Sequence, residues 1–200
     1  MRGEPLLYRR LILLLWFAWA AYWMVSAVSN KATRRRESRA SRLLHIVPLT
    51  LGGVLFAWHD MPGAWLAQRL WVRSLTAWWV GFALLGAGLA FSVWARVRLG
   101  RNWSGSVTVK EGHELIRSGP YSYVRHPIYT GLLAAVLGTA IASGTVRAAL
   151  AFLIIAAALL RKLRIEEGFM RETFPGEYQR YSAAVPALIP FIRLPRSAPH

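Results

Sequence analysis

Charge is missing from long stretches of this chain and crowded into the gaps between them. The runs Leu11–Ser29, Leu43–Trp58, Leu75–Ala95 and Ile128–Leu160 hold one charged side chain between them, Arg147. A bilayer core excludes charge while its boundaries tolerate it, so this clumping predicts a membrane protein. The overall balance agrees: 55% of residues are hydrophobic and only 17% charged, more apolar than a soluble domain of this length.

A net charge of +16 invites two partners, nucleic acid or a membrane surface. The basic residues flank apolar runs, as in Lys31–Arg42 and Arg96–Arg101, rather than lining a water-facing helix or sheet. That placement fits anionic lipid head groups and argues against nucleic acid. Many of the ten tryptophans stand near run ends, including Trp58, Trp65, Trp71, Trp94 and Trp103, where an indole keeps one wet edge. There is no cysteine, so disulfides, thiolate catalysis, iron–sulfur clusters and cysteine zinc sites are excluded. No metal site and no internal repeat are expected.

The runs give the organisation. Leu11–Ser29 is about nineteen residues, enough at about 1.5 Å per residue to cross roughly 30 Å of hydrocarbon. Ala18-Trp19-Ala20 imitates a signal-peptidase site, but the run continues past it among bulky aromatics, so a retained span is expected. Lys31–Arg42 reads as a solvated loop, and its charge places it in the cytoplasm. A second span follows over Leu43–Trp58, with Pro48, Gly52 and Gly53 inside it, and then a turn at His59–Gly63. The third, Leu75–Ala95, carries Gly81, Gly86 and Gly88, which suggest close helix contact.

Residues 100–126 read as a structured cytoplasmic loop, with strand character over Ser106–Val109. Ile128–Leu160 is too long for one span and short for two, and Ser143-Gly144 breaks it into a helical hairpin, Pro127–Ala142 and Val146 onward. The expected fold is therefore all-α: a multi-spanning transmembrane helical bundle of five spans, N-terminus outside and C-terminus cytoplasmic. Residues 1–95 supply three spans. Residues 96–200 supply the chemistry, with the hairpin over 127–165 and a pocket built from the cytoplasmic loop and the C-terminal segment.

The segment Gly119–Gly131, GPYSYVRHPIYTG, is the sharpest feature. Pro127 keeps His126 out of the helical region and is favoured at a first helical position, so a helix begins at Pro127. Its positive dipole end then lies beside Arg125 and His126, making a cationic, donor-rich spot suited to a carboxylate or a phosphate. Gly131, Ala134, Ala135, Gly138 and Ala142 leave one face of that helix nearly bare. Helix packing and close approach of a flat ligand both account for this. Glu166 and Glu167 follow the last apolar run; at helical spacing they pair with Lys162 and Arg171.

Arg125-His126-Pro127-Ile128-Tyr129-Thr130-Gly131 followed by Glu166-Glu167 resembles the paired signature of the isoprenylcysteine carboxyl methyltransferase family. Gly112-His113-Glu114-Leu115-Ile116 and Gly119-Pro120-Tyr121 are similar to its lead-in. Phe174, Glu177-Tyr178, Tyr181 and Pro186–Pro190 are similar to its tail. Phe174-Pro175-Gly176 departs from the common Phe-Gly, and the first two helices carry no family motif. The resemblance covers roughly residues 96–192.

It implies a membrane methyltransferase using S-adenosyl-L-methionine in a pocket unlike the Rossmann type, whose glycine fingerprint is absent here. Arg125, His126 and the helix start at Pro127 would hold the donor's carboxylate. Glu166 and Glu167 would accept from its amine or ribose hydroxyls. Tyr129 and Tyr121 would wall the pocket, with Gly119, Pro120 and Gly131 beside them. His113 would touch the cofactor or stand as a solvated loop histidine. Arg164 would face an anionic acceptor or complement the helix end.

A lipophilic or prenylated carboxylate is the expected acceptor. A phospholipid amine or a small thiol on the same fold is one alternative, and an NADPH-dependent membrane reductase is another.

Overall fold

The computed structural model describes residues 4–27, 33–36, 38–57, 64–72, 74–100, 108–110 and 115–192. Six helices dominate: α1 (Glu4–Ser26), α2 (Arg39–Ala57), α3 (Leu75–Leu99), α4 (Pro127–Ser143), α5 (Val146–Thr173) and α6 (Glu177–Ala184). Their ends follow local chemistry. Ser74 caps α3 by accepting from the Ala77 N–H at 3.1 Å. Pro127 opens α4, and Gly144 closes it in the left-handed region at φ 62°. Thr145 then caps α5 at once, so only two residues join the helices.

α2 and α3 have the length and apolar composition to cross a bilayer, over Ala40–Ala57 and Leu75–Leu99. α4 is apolar but shorter. α2 wears its apolar residues outward: Leu43, Leu44, Val47 and Leu51 are exposed while His45 is buried. A water-soluble helix would show the reverse.

One expectation needs correcting. The bundle is helical, but β1 (Thr33–Arg36) pairs antiparallel with β2 (Thr108–Lys110). Part of the basic stretch read as a solvated loop is thus backbone-paired to the segment after α3. The strand character over Ser106–Val109 is realised over Thr108–Lys110, whereas its partner lies about seventy-five positions away and carries an arginine run that does not read as a strand.

The closest helix pair is α3 with α4, and glycine is the reason. A Cβ on Gly81 would fall under 3.0 Å from the Gly138 carbonyl oxygen, and one on Gly138 would meet the Gly81 carbonyl oxygen in the same way. Gly88 and Gly131 form a second such pair, two turns along. Bare backbone against bare backbone is how helices approach closely without a hydrophobic drive in lipid. Gly86 differs from the sequence reading: a Cβ there meets nothing within 4 Å, so it lies off this seam.

α1 docks through indole donors, Trp16 Nε1 to Thr139 Oγ1 at 3.2 Å and Trp19 Nε1 to Ser92 Oγ at 2.8 Å. α2 docks on α5, where Gly52 lies against Ile155 and Arg161 donates to the Ser41 carbonyl at 3.0 Å and hydroxyl at 3.2 Å. The main buried cluster joins Tyr129 and Val136 of α4, Ile155, Leu159 and Leu163 of α5, and Ala187 and Leu188 beyond α6. The chain after α6 thereby becomes part of the core beside the start of α4.

Candidate functional site

Proline starts α4 where the sequence says it should, and that sets the site. His126 takes a non-helical backbone, φ −123° and ψ 61°, at the N-cap position. α5 runs back alongside α4 and is 28 residues long, about 42 Å at the helical rise, against 17 residues for α4. Its C-terminal turns carry Glu166 and Glu167 to the start of α4.

The two motifs meet. Arg125 donates from Nε to Glu167 Oε1 at 2.9 Å, and its Nη2 bonds the same oxygen. His126 Nε2 lies 3.3 Å from Glu167 Oε1 and its Nδ1 lies 3.8 Å from Glu166 Oε2. The Tyr129 hydroxyl donates to Glu166 Oε1 at 2.5 Å. The His126 and Tyr129 rings stack at 5.7 Å between centroids, and Lys162 Nζ sits 5.6 Å from the Tyr129 centroid. Both pairs read from helical spacing are also present, Lys162–Glu166 at 3.9 Å and Arg171–Glu167 at 3.0 Å. The helix-surface pairs and the cross-helix cluster therefore share the same two carboxylates.

Burial sets the electrostatics. Desolvation by itself would raise the Glu167 carboxyl, but hydrogen bonds and charge from His126 and Arg125 outweigh it and hold the group at about 2. Burial pushes the Tyr121 phenol above its ordinary range, with Glu166 adding to the effect. Tyr121 is therefore an uncharged wall within electrostatic reach of Glu166.

The remaining residues read from the sequence sort clearly. Pro120 and Tyr121 are buried in a short 3₁₀ turn, Gly119–Ser122, and the Tyr121 carbonyl accepts from the Tyr181 hydroxyl at 2.6 Å. Gly119 supplies the left-handed backbone that starts this turn, φ 65°, beside the Arg98 side chain. Gly131 is not in the cluster. It faces Gly88, which assigns the bare stripe of α4 to helix packing at that position. Arg164 is exposed. His113 lies outside the described residues.

Sequence reasoning missed the third wall. Arg125 Nη1 donates to the carbonyls of Ser182, at 3.2 Å, and Val185. The backbone N–H groups of Arg125 and His126 donate to Pro186 and Ala187, at 2.8 and 3.0 Å. Thr130 Oγ1 donates to Leu188 at 2.7 Å. Backbone carbonyls carry no residue signature; only the proline-bounded Pro186–Pro190 segment hinted at a fixed chain path here. A shallow concavity of about 660 Å³ along Arg69–Val72 lies at the other end of α4, beside Gly144, and is not this site.

Residues 79–171, just under half of the chain, match the model of the isoprenylcysteine carboxyl methyltransferase (ICMT) family. Over these residues the chain is similar to the ICMT family. The chain is 34% identical over 116 residues to the protein-S-isoprenylcysteine O-methyltransferase of Schizosaccharomyces pombe, covering 56% of this chain and 48% of that protein. It is 30% identical over 156 residues to the cobalt-zinc-cadmium resistance protein CzcN of Cupriavidus metallidurans, covering 76% of this chain and 63% of that protein. A solved structure of a eukaryotic intramembrane Ras methyltransferase ICMT shares the fold, with TM-score 0.50, 21% identity, and coverage of 86% of this chain and 53% of that one. The chain thus spans about half to two thirds of the length of these relatives. Arg125, His126, Tyr129, Glu166 and Glu167 all fall inside the ICMT region, whereas α6 and the carbonyls of the third wall lie beyond it.

Proposed function

We propose that this chain is an integral membrane methyltransferase that uses S-adenosyl-L-methionine to O-methylate the carboxylate of an isoprenylcysteine-like or other lipophilic acceptor. One observation carries the reading: the arginine–histidine–proline helix start and the twin glutamates, some forty positions apart, share one buried cluster. The similarity of the matched region to the ICMT family, and the names of its relatives, support it.

The donor set suits this cofactor. Glu166 and Glu167 are acceptors for an amine or ribose hydroxyls. The positive end of α4 suits a carboxylate. The stacked His126–Tyr129 pair, with Tyr121, offers a flat wall. When bound, S-adenosylmethionine supplies a methyl group already activated on a sulfonium. Glu166 and Glu167 would hold its polar groups, Tyr129 and His126 would fix those carboxylates, and the buried surroundings would exclude water. A carboxylate acceptor is ionised at neutral pH, so no side chain need serve as a general base. The task left to the protein is alignment and desolvation.

Around the two acids stand three permanent cations, Arg125, Lys162 and Arg171. That surplus favours an anionic acceptor over a phospholipid amine. In the membrane we place five spans, α1 to α5, with the cluster at the cytoplasmic boundary and the acceptor entering from lipid.

The test is to incubate the purified protein with radiolabelled S-adenosylmethionine and membrane extract. Label should enter a lipid-soluble product and leave it as methanol on base treatment, as an ester does. Base-stable label would favour an amine or thiol acceptor. The reading fails altogether with no transfer and no S-adenosylmethionine binding by calorimetry. Glu167→Ala and His126→Ala should each weaken that binding while the protein stays folded. Unchanged affinity in both removes these residues from the site.

A further inference from the structure

We propose that Arg125 is a positioning residue that latches the segment Ser182–Leu188 and Glu167 to the start of α4, and that it does not contact the carboxylate of the cofactor. The inference rests on the reading of the site as one for S-adenosylmethionine, and reassigns within it the residue whose charge most invites a role as carboxylate ligand.

The guanidinium is already engaged. A guanidinium has five N–H donors. At least four bonds from Arg125 are in place, two to Glu167 Oε1 and two to the carbonyls of Ser182 and Val185. Its side chain is 11% exposed and that of Glu167 9%. Pulling such a group round to a new anion would strand a buried carboxylate and two carbonyls.

The other bonds show what this guanidinium is part of. Backbone N–H groups of Arg125 and His126 and the hydroxyl of Thr130 all donate to consecutive carbonyls, Pro186 to Leu188. Ala187 and Leu188 are buried with Tyr129 and Leu163. The chain after α6 is thus stitched along the first turn of α4, and the Arg125 guanidinium bonds both that chain, at Val185, and Glu167 of α5. A planar fork spans two directions at once; an ammonium of the same charge does not.

The experiment compares two probes in detergent-purified full-length protein. S-adenosylhomocysteine carries the amino-acid carboxylate, and 5′-methylthioadenosine lacks it. Arg125→Lys retains the charge but loses the fork. Affinity for both probes should fall by the same factor, on the order of tenfold, and trypsin should cut after the exposed Arg180 faster than in the parent. Thr130→Val, which removes the hydroxyl's bonds to the Leu188 and His126 carbonyls and leaves the guanidinium in place, should show a smaller and equally shared loss. A loss confined to S-adenosylhomocysteine would make Arg125 a carboxylate ligand and overturn the proposal. So would full affinity for both probes in Arg125→Lys.

Should that variant not fold, Thr130→Val decides alone: equal loss supports the latch, unchanged affinity for both probes sinks it. If the parent protein binds neither probe, the cofactor reading falls. The cleavage rate at Arg180 then still judges the latch.

Discussion

Gly88 of α3 and Gly131 of α4 sit backbone to backbone, so that a Cβ on either would stand under 3.0 Å from the other's carbonyl oxygen. The neighbouring atoms are main chain and have no flexible end to swing aside. Gly131→Ala should therefore cost about 1–3 kcal/mol, with Gly131→Leu worse. Gly86→Ala, on the same α3 but with nothing within 4 Å of the added carbon, should be no less stable than the parent. Thermal unfolding in detergent checks the contrast, and equal losses at the two positions would contradict the packing described.

Tyr129 donates to Glu166 at 2.5 Å while its ring stacks on His126 and lies under Lys162. Tyr129→Phe removes the hydroxyl and keeps the ring. It should cost about 1.5–3 kcal/mol of stability, the range for a hydrogen bond to a charged group. It should also weaken S-adenosylmethionine binding by roughly tenfold or more. Calorimetry and chemical denaturation read the two effects separately.

Two ion pairs, one reaching α6 and one joining the start of α4 to α5, should differ sharply in worth. Arg117–Glu177, at 2.7 Å, has side chains 51% and 37% exposed, so Arg117→Ala should change stability by about 0–1 kcal/mol. Arg125–Glu167 is nearly enclosed. Arg125→Ala leaves a buried carboxylate behind and should cost about 3–5 kcal/mol. Denaturation midpoints of the two variants, side by side, make the comparison.

Acid should act through Glu167. Its carboxyl is held at about 2 in the folded protein against an ordinary 4.5. A carboxyl depressed by folding contributes stability that is complete above the ordinary value and disappears as pH falls through the folded one. Melting temperature should thus decline between about pH 4.5 and 2, and Glu167→Gln should flatten that decline. A parent and variant with parallel pH profiles would show that another group controls acid unfolding.

The comparison of sequence with structure is instructive at particular residues. The start of α4 was legible because proline acts on its own neighbours: it lacks an N–H and fixes a dihedral angle, so Pro127 dictates the helix boundary wherever the helix lies. The start of α3 at Leu75 and the break at Ser143-Gly144 were legible from local composition, whereas α3 runs on to Leu99 and α5 to Thr173, past the Ala95 and residue 165 expected from the sequence. The pairings Lys162–Glu166 and Arg171–Glu167 followed from helical spacing alone.

What the sequence left open was decided between elements. Whether the bare face of α4 met a ligand or a helix depended on what stood opposite, and at Gly131 and Gly138 it is α3. The pairing of an arginine-rich stretch with β2 is a long-range backbone bond that no local preference announces. The role of Arg125 was hidden for a related reason: two of its bonds go to main-chain carbonyls, which every residue has. Local steric rules and charge patterning marked the apolar cores of α1 to α5 and the start of α4, but not α6 or most helix ends. Only the packing of α3, α4 and α5, with the chain after α6 folded back on them, determined which of the marked residues meet, because contact between distant segments is a property of the whole fold's geometry.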